Sequence, residues 1–136
     1  MTRQKLTAYS FFLISFLVII MVLIGGITRL TGSGLSMTEW APFTGFIPPL
    51  NQQVWLSLFA KYQQSPEFMH INPDMDVEGF KGIFWLEFIH RVWGRVIGLA
   101  MLIPTYFVLT NKETRATFSG RLALLWALGI AQGFLG

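Results

Sequence analysis

The chain has 136 residues; 53% are hydrophobic and 12% charged, about half the charged share of a soluble domain, which excludes an ordinary water-soluble enzyme and points to a polytopic membrane protein. Cysteine is absent, so disulfides, thiolate metal sites and thiol nucleophiles are excluded. The formal net charge of +3 is no nucleic-acid signal, because the basic residues flank apolar segments, where the positive-inside rule places them.

After a short basic start with Arg3 and Lys5, an uncharged apolar segment runs over about 6–27, enough to span a ~30 Å hydrocarbon core. It is too long for a signal-peptide core and lacks an Ala-x-Ala cleavage site, so it reads as an uncleaved first transmembrane helix. Its start near residue 6 leaves no room for a transit peptide, which favours a bacterial source. Gly25 and Gly26 provide either close helix approach or a helix stop, and the Gly/Ser-rich run Gly32-Ser33-Gly34 breaks the helix. Arg29 lies at the membrane boundary, as an interfacial snorkelling side chain or as an anion contact.

A long connection over 28–75 follows. Within it Asn51 is suited to cap a short amphipathic helix over about 52–63, with Val54, Trp55, Leu58, Phe59 and Tyr62 on one side. Pro66 and Pro73 punctuate the remainder, and His70, beside Asn72 and Pro73, reads as a solvent-exposed histidine. Asp76 is the expected N-cap of a second transmembrane helix over about 76–109, with Glu78 in its first turn and Pro104 kinking its far end. A basic loop over 111–121 carries Lys112, Arg115 and Arg121, and a third apolar segment over 121–136 shows fewer residues than a full span requires. Both short basic stretches belong on the cytoplasmic side, which leaves the 28–75 loop external. The fold expected is an all-α integral membrane protein with two complete transmembrane helices and a truncated third.

The second helix carries the chemistry. Residues three and four apart share a helix face, so Glu87, His90, Arg91, Gly94, Arg95 and Gly98 form one stripe. An ionisable group at the bilayer centre costs roughly 3 kcal/mol or more, so four on one stripe rule out lipid contact there and mark a functional or packed face. A neutral imidazole in a helical bundle suits axial ligation of heme iron, and two guanidiniums suit heme propionates. Glu87, one turn before His90, suits an acid/base or a pairing with Arg91. The competing readings are a buried Glu–Arg network that holds helices together and a proton or ion pathway; the latter wants a second carboxylate within the hydrocarbon, which the helix lacks. Gly94-x-x-x-Gly98 offers a flat surface to a neighbouring helix or ligand.

The run from Gly25 through Thr28-Arg29-Leu30-Thr31-Gly32-Ser33-Gly34-Leu35-Ser36-Met37, with Trp40, Pro42, Gly45 and Pro48-Pro49, resembles the heme A synthase family. So do Tyr62 with Ser65-Pro66-Glu67, Asn72, Met75, Phe80 to Phe84, and above all Glu87-Phe88-Ile89-His90-Arg91 with Gly94-Arg95 and Gly98. Leu128-Gly129, Gln132-Gly133 and Gly136 extend the resemblance to the end of the chain. Without a loop cysteine pair, it resembles the branch found in mitochondria and related bacteria. The resemblance implies eight transmembrane helices in two four-helix halves, each holding a heme between two histidines. It implies that the first half takes heme O as substrate and oxidises a ring methyl to the formyl group of heme A, the cofactor of terminal cytochrome oxidases, while heme b in the second half carries electrons. On this chain His90 becomes a heme-iron ligand and Glu87 the catalytic carboxylate. Arg29, Arg91 and Arg95 are expected as heme-binding partners of the propionates on physical grounds.

The partner histidine is expected on a fourth helix, so a single copy of this stretch holds half a ligand set, and a second copy in a homo-oligomer or another protein would have to complete it. The expected location is the bacterial cytoplasmic (inner) membrane, multi-pass with the N-terminus cytoplasmic, or the mitochondrial inner membrane. Expected partners are heme O, membrane lipid, and heme O synthase or oxidase assembly factors, and no nucleic acid. The alternatives are a non-catalytic heme-binding or oxidase-assembly subunit, and a helix-packing membrane protein without a cofactor.

Overall fold

The computed structural model describes residues 2–40 and 45–135; Pro42 and Gly136, both in the motif runs above, lie outside the described residues. The described elements are six α-helices: α1 (Arg3–Leu30), α2 (Gln52–Tyr62), α3 (Pro66–His70), α4 (Val77–Ala100), α5 (Leu102–Thr110) and α6 (Lys112–Leu135). Three stretches are long and apolar enough to cross a membrane: α1, the Val77–Thr110 stretch of α4 and α5, and α6. A helix satisfies its backbone polar groups internally, which a lipid environment demands, and the protein is all-α and multi-pass.

Helix α1 extends a turn beyond expectation at each end. It runs through Gly25 and Gly26, which are therefore not its stop. The stop is at Gly32, whose φ of 62° lies in the left-handed region. The Ser33 N–H donates to the Thr28 carbonyl at 2.9 Å and the Gly32 N–H to that of Arg29 at 3.3 Å, which together make a Schellman cap. The serine and threonine hydroxyls of α1 bond back to their own helix, as Ser15 does to the Phe11 carbonyl and Thr28 to that of Ile24.

The chain divides into two compact units, one of residues up to Ile20 with those from Gly94 onward, the other of Met21–Trp93. In the first unit the apolar centre is Met101, Val108 and Leu122, packed by Phe11, Ile14, Phe118 and Trp126. The Trp126 indole donates to Thr105 Oγ1 at 2.9 Å, and Gln4 donates to the Glu113 carboxylate at 3.0 Å. The helix expected over 76–109, with Pro104 kinking its far end, takes the form of α4 and α5, which meet at Met101. Pro104 has no N–H for the Ala100 carbonyl and its ring crowds that oxygen, so the break falls three residues before the proline. The 111–121 stretch is helix, not loop, since α6 starts at Lys112. Asn111 is its hinge: its side-chain oxygen accepts from the Glu113 N–H at 3.0 Å and its carbonyl from the Arg115 N–H at 2.9 Å. Apolar content is a poor guide there, because Lys, Glu, Arg and Ala are good helix formers whether or not lipid surrounds them.

The second unit is built on an aromatic cluster. Asn51 caps α2 by accepting from the Val54 N–H at 2.9 Å. Ser65 caps the short α3, where Pro66 takes the first position that needs no N–H donor, so this proline starts a helix as well as ending a connection. Asp76 accepts from the Gly79 N–H at 2.8 Å at the head of α4. Trp55 and Tyr62 of α2 and Phe80, Phe84 and Phe88 of α4 are buried together, with Leu58, Phe59, Phe68 and Val92 against them. Phe80 is wholly enclosed and stacks on Tyr62 with ring centroids 5.1 Å apart. The Tyr62 hydroxyl accepts from the Asn72 amide at 2.9 Å, which ties the segment after α3 to α2. On α4, Phe88 and Val92 pack into this cluster while Ile89, Val96 and Leu99 are exposed.

Two outcomes follow from this cluster. Phe80→Ala should destabilise the second unit by about 3–5 kcal/mol, read as faster hydrogen exchange of the α2 amides; unchanged protection would show that Phe80 is not central. Burial pushes the Tyr62 phenol up from its ordinary value of 10.0, the charges of Glu67 and Glu87 push the same way, and the Asn72 bond offsets them only in part. The folded state therefore keeps the proton longer, so the stability Tyr62 contributes is whole below about pH 10 and is lost as pH rises through the folded value. An alkaline unfolding titration followed by tyrosinate absorbance should show this limb, and Tyr62→Phe should remove it.

Candidate functional site

The chemistry-bearing residues of the second unit lie where α4 meets the end of α1 and the segment that follows it. Glu87 is buried, 8% exposed, so its charge needs partners. It finds them 50 residues away in sequence. Its Oε2 accepts from the Ser36 hydroxyl at 2.7 Å and from the Met37 backbone N–H at 2.7 Å. Its Oε1 lies 3.9 Å from the Arg91 Nε, one turn along α4. Arg91 in turn donates through one terminal nitrogen to the Glu39 carbonyl at 2.9 Å. The Glu39 side chain reaches the Lys61 ammonium on α2, which holds the Glu39 carboxyl below the usual carboxylate range by hydrogen bond and charge. Residues 36–39 thus form a strap fastened to α4 at two successive turns and to α2 at a third point.

His90 is half-buried, and among the described residues its ring makes no hydrogen bond. Its Nε2 faces the backbone of Gly25 in α1: a Cβ built on Gly25 would lie 3.2 Å from that nitrogen. Any other residue at 25 would crowd the imidazole, so close approach of α1 to α4 is what this glycine provides. Among the described residues no three His, Asp or Glu side chains converge on one point. An imidazole nitrogen is a donor suited to the metal of a porphyrin, which brings its other donors with it.

The expected site residues are distributed unevenly. Glu87 and Arg91 are brought together, and His90 lies on the same helix, packed on Gly25. Arg29 is exposed in the last turn of α1, where a cation also complements the helix dipole. Arg95 is half-buried on α4 and falls in the other unit. His70 is exposed at the end of α3, as expected. The sequence reading missed Ser36, the Met37 amide and the Glu39 carbonyl. Ser36 stands in the motif run, but its place there does not point to Glu87; a backbone N–H and a backbone carbonyl carry no side-chain signal at all.

The whole second-helix stripe and the strap lie within a stretch that matches known proteins. The family model for COX15-CtaA, described as a cytochrome oxidase assembly protein, matches residues 8–136. A heme A synthase of Paramagnetospirillum magneticum is 50% identical over 121 residues, covering 89% of this chain and 34% of that protein. A heme A synthase of Granulibacter bethesdensis is 45% identical over 134 residues, covering 98% of this chain and 36% of that protein. The heme A synthase COX15 of Saccharomyces cerevisiae is 46% identical over 133 residues, covering 98% of this chain and 27% of that protein. The chain therefore spans roughly a third of the length of these curated relatives. No solved structure matches the chain significantly. Matched by the family model from residue 8 to residue 136 and by relatives near half identity, this chain belongs to the COX15-CtaA family of cytochrome oxidase assembly proteins.

Proposed function

We propose that this chain forms the first heme site of a heme A synthase, in which heme O is the substrate and a ring methyl is oxidised stepwise to a formyl group. The single observation that carries the reading is the His90 imidazole, unpartnered among the described residues and packed on the bare backbone of Gly25, one turn from a buried carboxylate. His90 would supply one axial nitrogen to the iron of heme O. Glu87, whose Oε2 accepts from two donors, would stand beside the methyl under oxidation, to accept a proton or to stabilise positive charge there. Arg91 has one nitrogen on the Glu39 carbonyl and others left to meet a propionate, and Arg29 and Arg95 would serve the same end. The relatives are roughly three times as long, so the partner histidine of this site, and the second half with its heme b, are proposed to lie in the length this chain does not span. On that reading the chain supplies part of one four-helix half of an eight-helix bundle.

The proposed setting is the bacterial inner membrane or its mitochondrial counterpart, with Arg3, Lys5 and the basic start of α6 on the cytoplasmic or matrix side and α2 and α3 on the other. Heme O synthase and oxidase assembly factors are proposed neighbours, as source of the substrate and as users of the product. A second reading is favoured by one observation: Glu87, through Oε2, and Arg91 both engage the strap, as a purely structural network would. In that case the protein binds heme for assembly without oxidising it.

Three substitutions in the polypeptide its gene encodes separate these readings. His90→Ala should abolish the heme absorption spectrum of the first site; a retained spectrum would assign the ligand elsewhere. Gly25→Ala should weaken heme O binding roughly tenfold, because the new methyl pushes on Nε2. Glu87→Gln should keep heme binding while conversion of heme O falls about a hundredfold or more. Unchanged conversion in Glu87→Gln would leave the structural network as the role of Glu87. Replacement of Arg29, Arg91 or Arg95 should each lower heme affinity, and unchanged affinity would remove that arginine from the site.

A further inference from the structure

Ser36 is buried at 2% exposure in a segment whose backbone is not what its residues would choose. The residue before it, Leu35, has φ 70°, in the left-handed region where a leucine is disfavoured, and its side chain is 69% exposed, so no packing of that side chain explains the conformation. What holds it is the pair of bonds from the next two residues: the Ser36 hydroxyl and the Met37 N–H both donate to Oε2 of Glu87 at 2.7 Å. The Ser36 hydroxyl also lies 3.3 Å from the Ile83 carbonyl, but one proton cannot serve both, and the nearer, charged acceptor takes it. The two carboxylate oxygens are thereby made unlike. Oε2 carries two short charge-assisted bonds; among the described residues Oε1 has only Arg91 Nε at 3.9 Å, beyond hydrogen-bond distance.

We propose that Ser36 is a positioning residue: with the Met37 amide it commits Oε2, fixes the side-chain torsions of Glu87, and leaves Oε1 as the oxygen that meets the substrate. This rests on the reading of the His90 site as the place where heme O is oxidised. A single hydrogen bond would leave the carboxylate free to swing about it. Two donors on consecutive residues, converging on one oxygen, fix both its position and the plane of the group. The bent backbone at Leu35 is what lets a side chain and the following N–H point the same way.

The test compares Ser36→Ala, Ser36→Thr and Leu35→Gly in the polypeptide its gene encodes, in native-like membranes. Two readouts are taken. The first is the infrared carboxylate stretch of Glu87 without heme, assigned by its loss in Glu87→Gln. The second is the split of kcat from KM for conversion of heme O. Ser36→Ala should shift the Glu87 band and lower kcat about tenfold, with KM within about twofold of the parent. Ser36→Thr, which keeps the hydroxyl, should restore both. Leu35→Gly, which adopts the same backbone without strain, should leave both at parent values and shows that the segment tolerates change. An unmoved band in Ser36→Ala overturns the proposal, and so does a rise in KM at constant kcat. Equal loss in Ser36→Ala and Ser36→Thr assigns Ser36 to packing and overturns it too. A shifted band in Ser36→Ala with no conversion of heme O by the parent defeats instead the reading of the site as a heme A synthase, and leaves the Ser36–Glu87 bond a structural one.

Discussion

The structure of the second unit depends on a charge placed where charge is expensive. A buried carboxylate without partners would destabilise the fold by several kcal/mol, so α4 can carry Glu87 only if something else brings donors to it. The strap after α1 does so. That requirement sets where α1 ends, because the Gly32 cap must turn the chain back toward α4. It also accounts for a left-handed leucine and for a glycine at 25, since α1 must lie close enough for its downstream segment to reach the carboxylate. One electrostatic demand therefore organises a helix end, a turn and a helix–helix contact.

How much of this was legible in the sequence follows from the range of each interaction. The periodic apolar runs gave the spanning helices, and local caps such as Asn51 and Asp76 act within three residues, so their residues name them. The stripe of Glu87, His90 and Arg91 follows from helical spacing alone. The two donors to Glu87 from the strap were not legible, because Ser36 and Met37 lie 51 and 50 residues earlier and one of the two donors is backbone. The start of α6 was misjudged for a different reason: hydropathy reports where lipid is, whereas helix formation continues through polar residues whose backbone bonds are internal.

The exposed apolar surface has the same origin as the composition. Leu23 and Ile27 on α1 and Leu124, Leu128 and Phe134 on α6 are uncovered, and lipid or further helices can cover them equally well. The relatives are about three times as long as this chain. The buried polar groups contrast with these faces, since the Ser36 hydroxyl and Glu87 Oε2 find each other within the second unit.

The face of α4 that builds the core and the face that builds the site are one face. Phe80, Phe84, Glu87 and Arg91 follow each other at spacings of four, three and four, which keeps them in line along the helix. The first two are buried against α2 and the last two take the strap. A rotation of α4 by one residue, about 100°, would lose both sets together. The aromatic cluster thus fixes the angle of α4 about its own axis, and that angle decides where Glu87 and His90 point. Tight packing in the part of the unit with no chemistry of its own is what allows a carboxylate and an imidazole to be held at a set angle in the part that has it. A helix that is merely apolar could turn freely in lipid; this one is keyed by rings at its head before its charged turn begins.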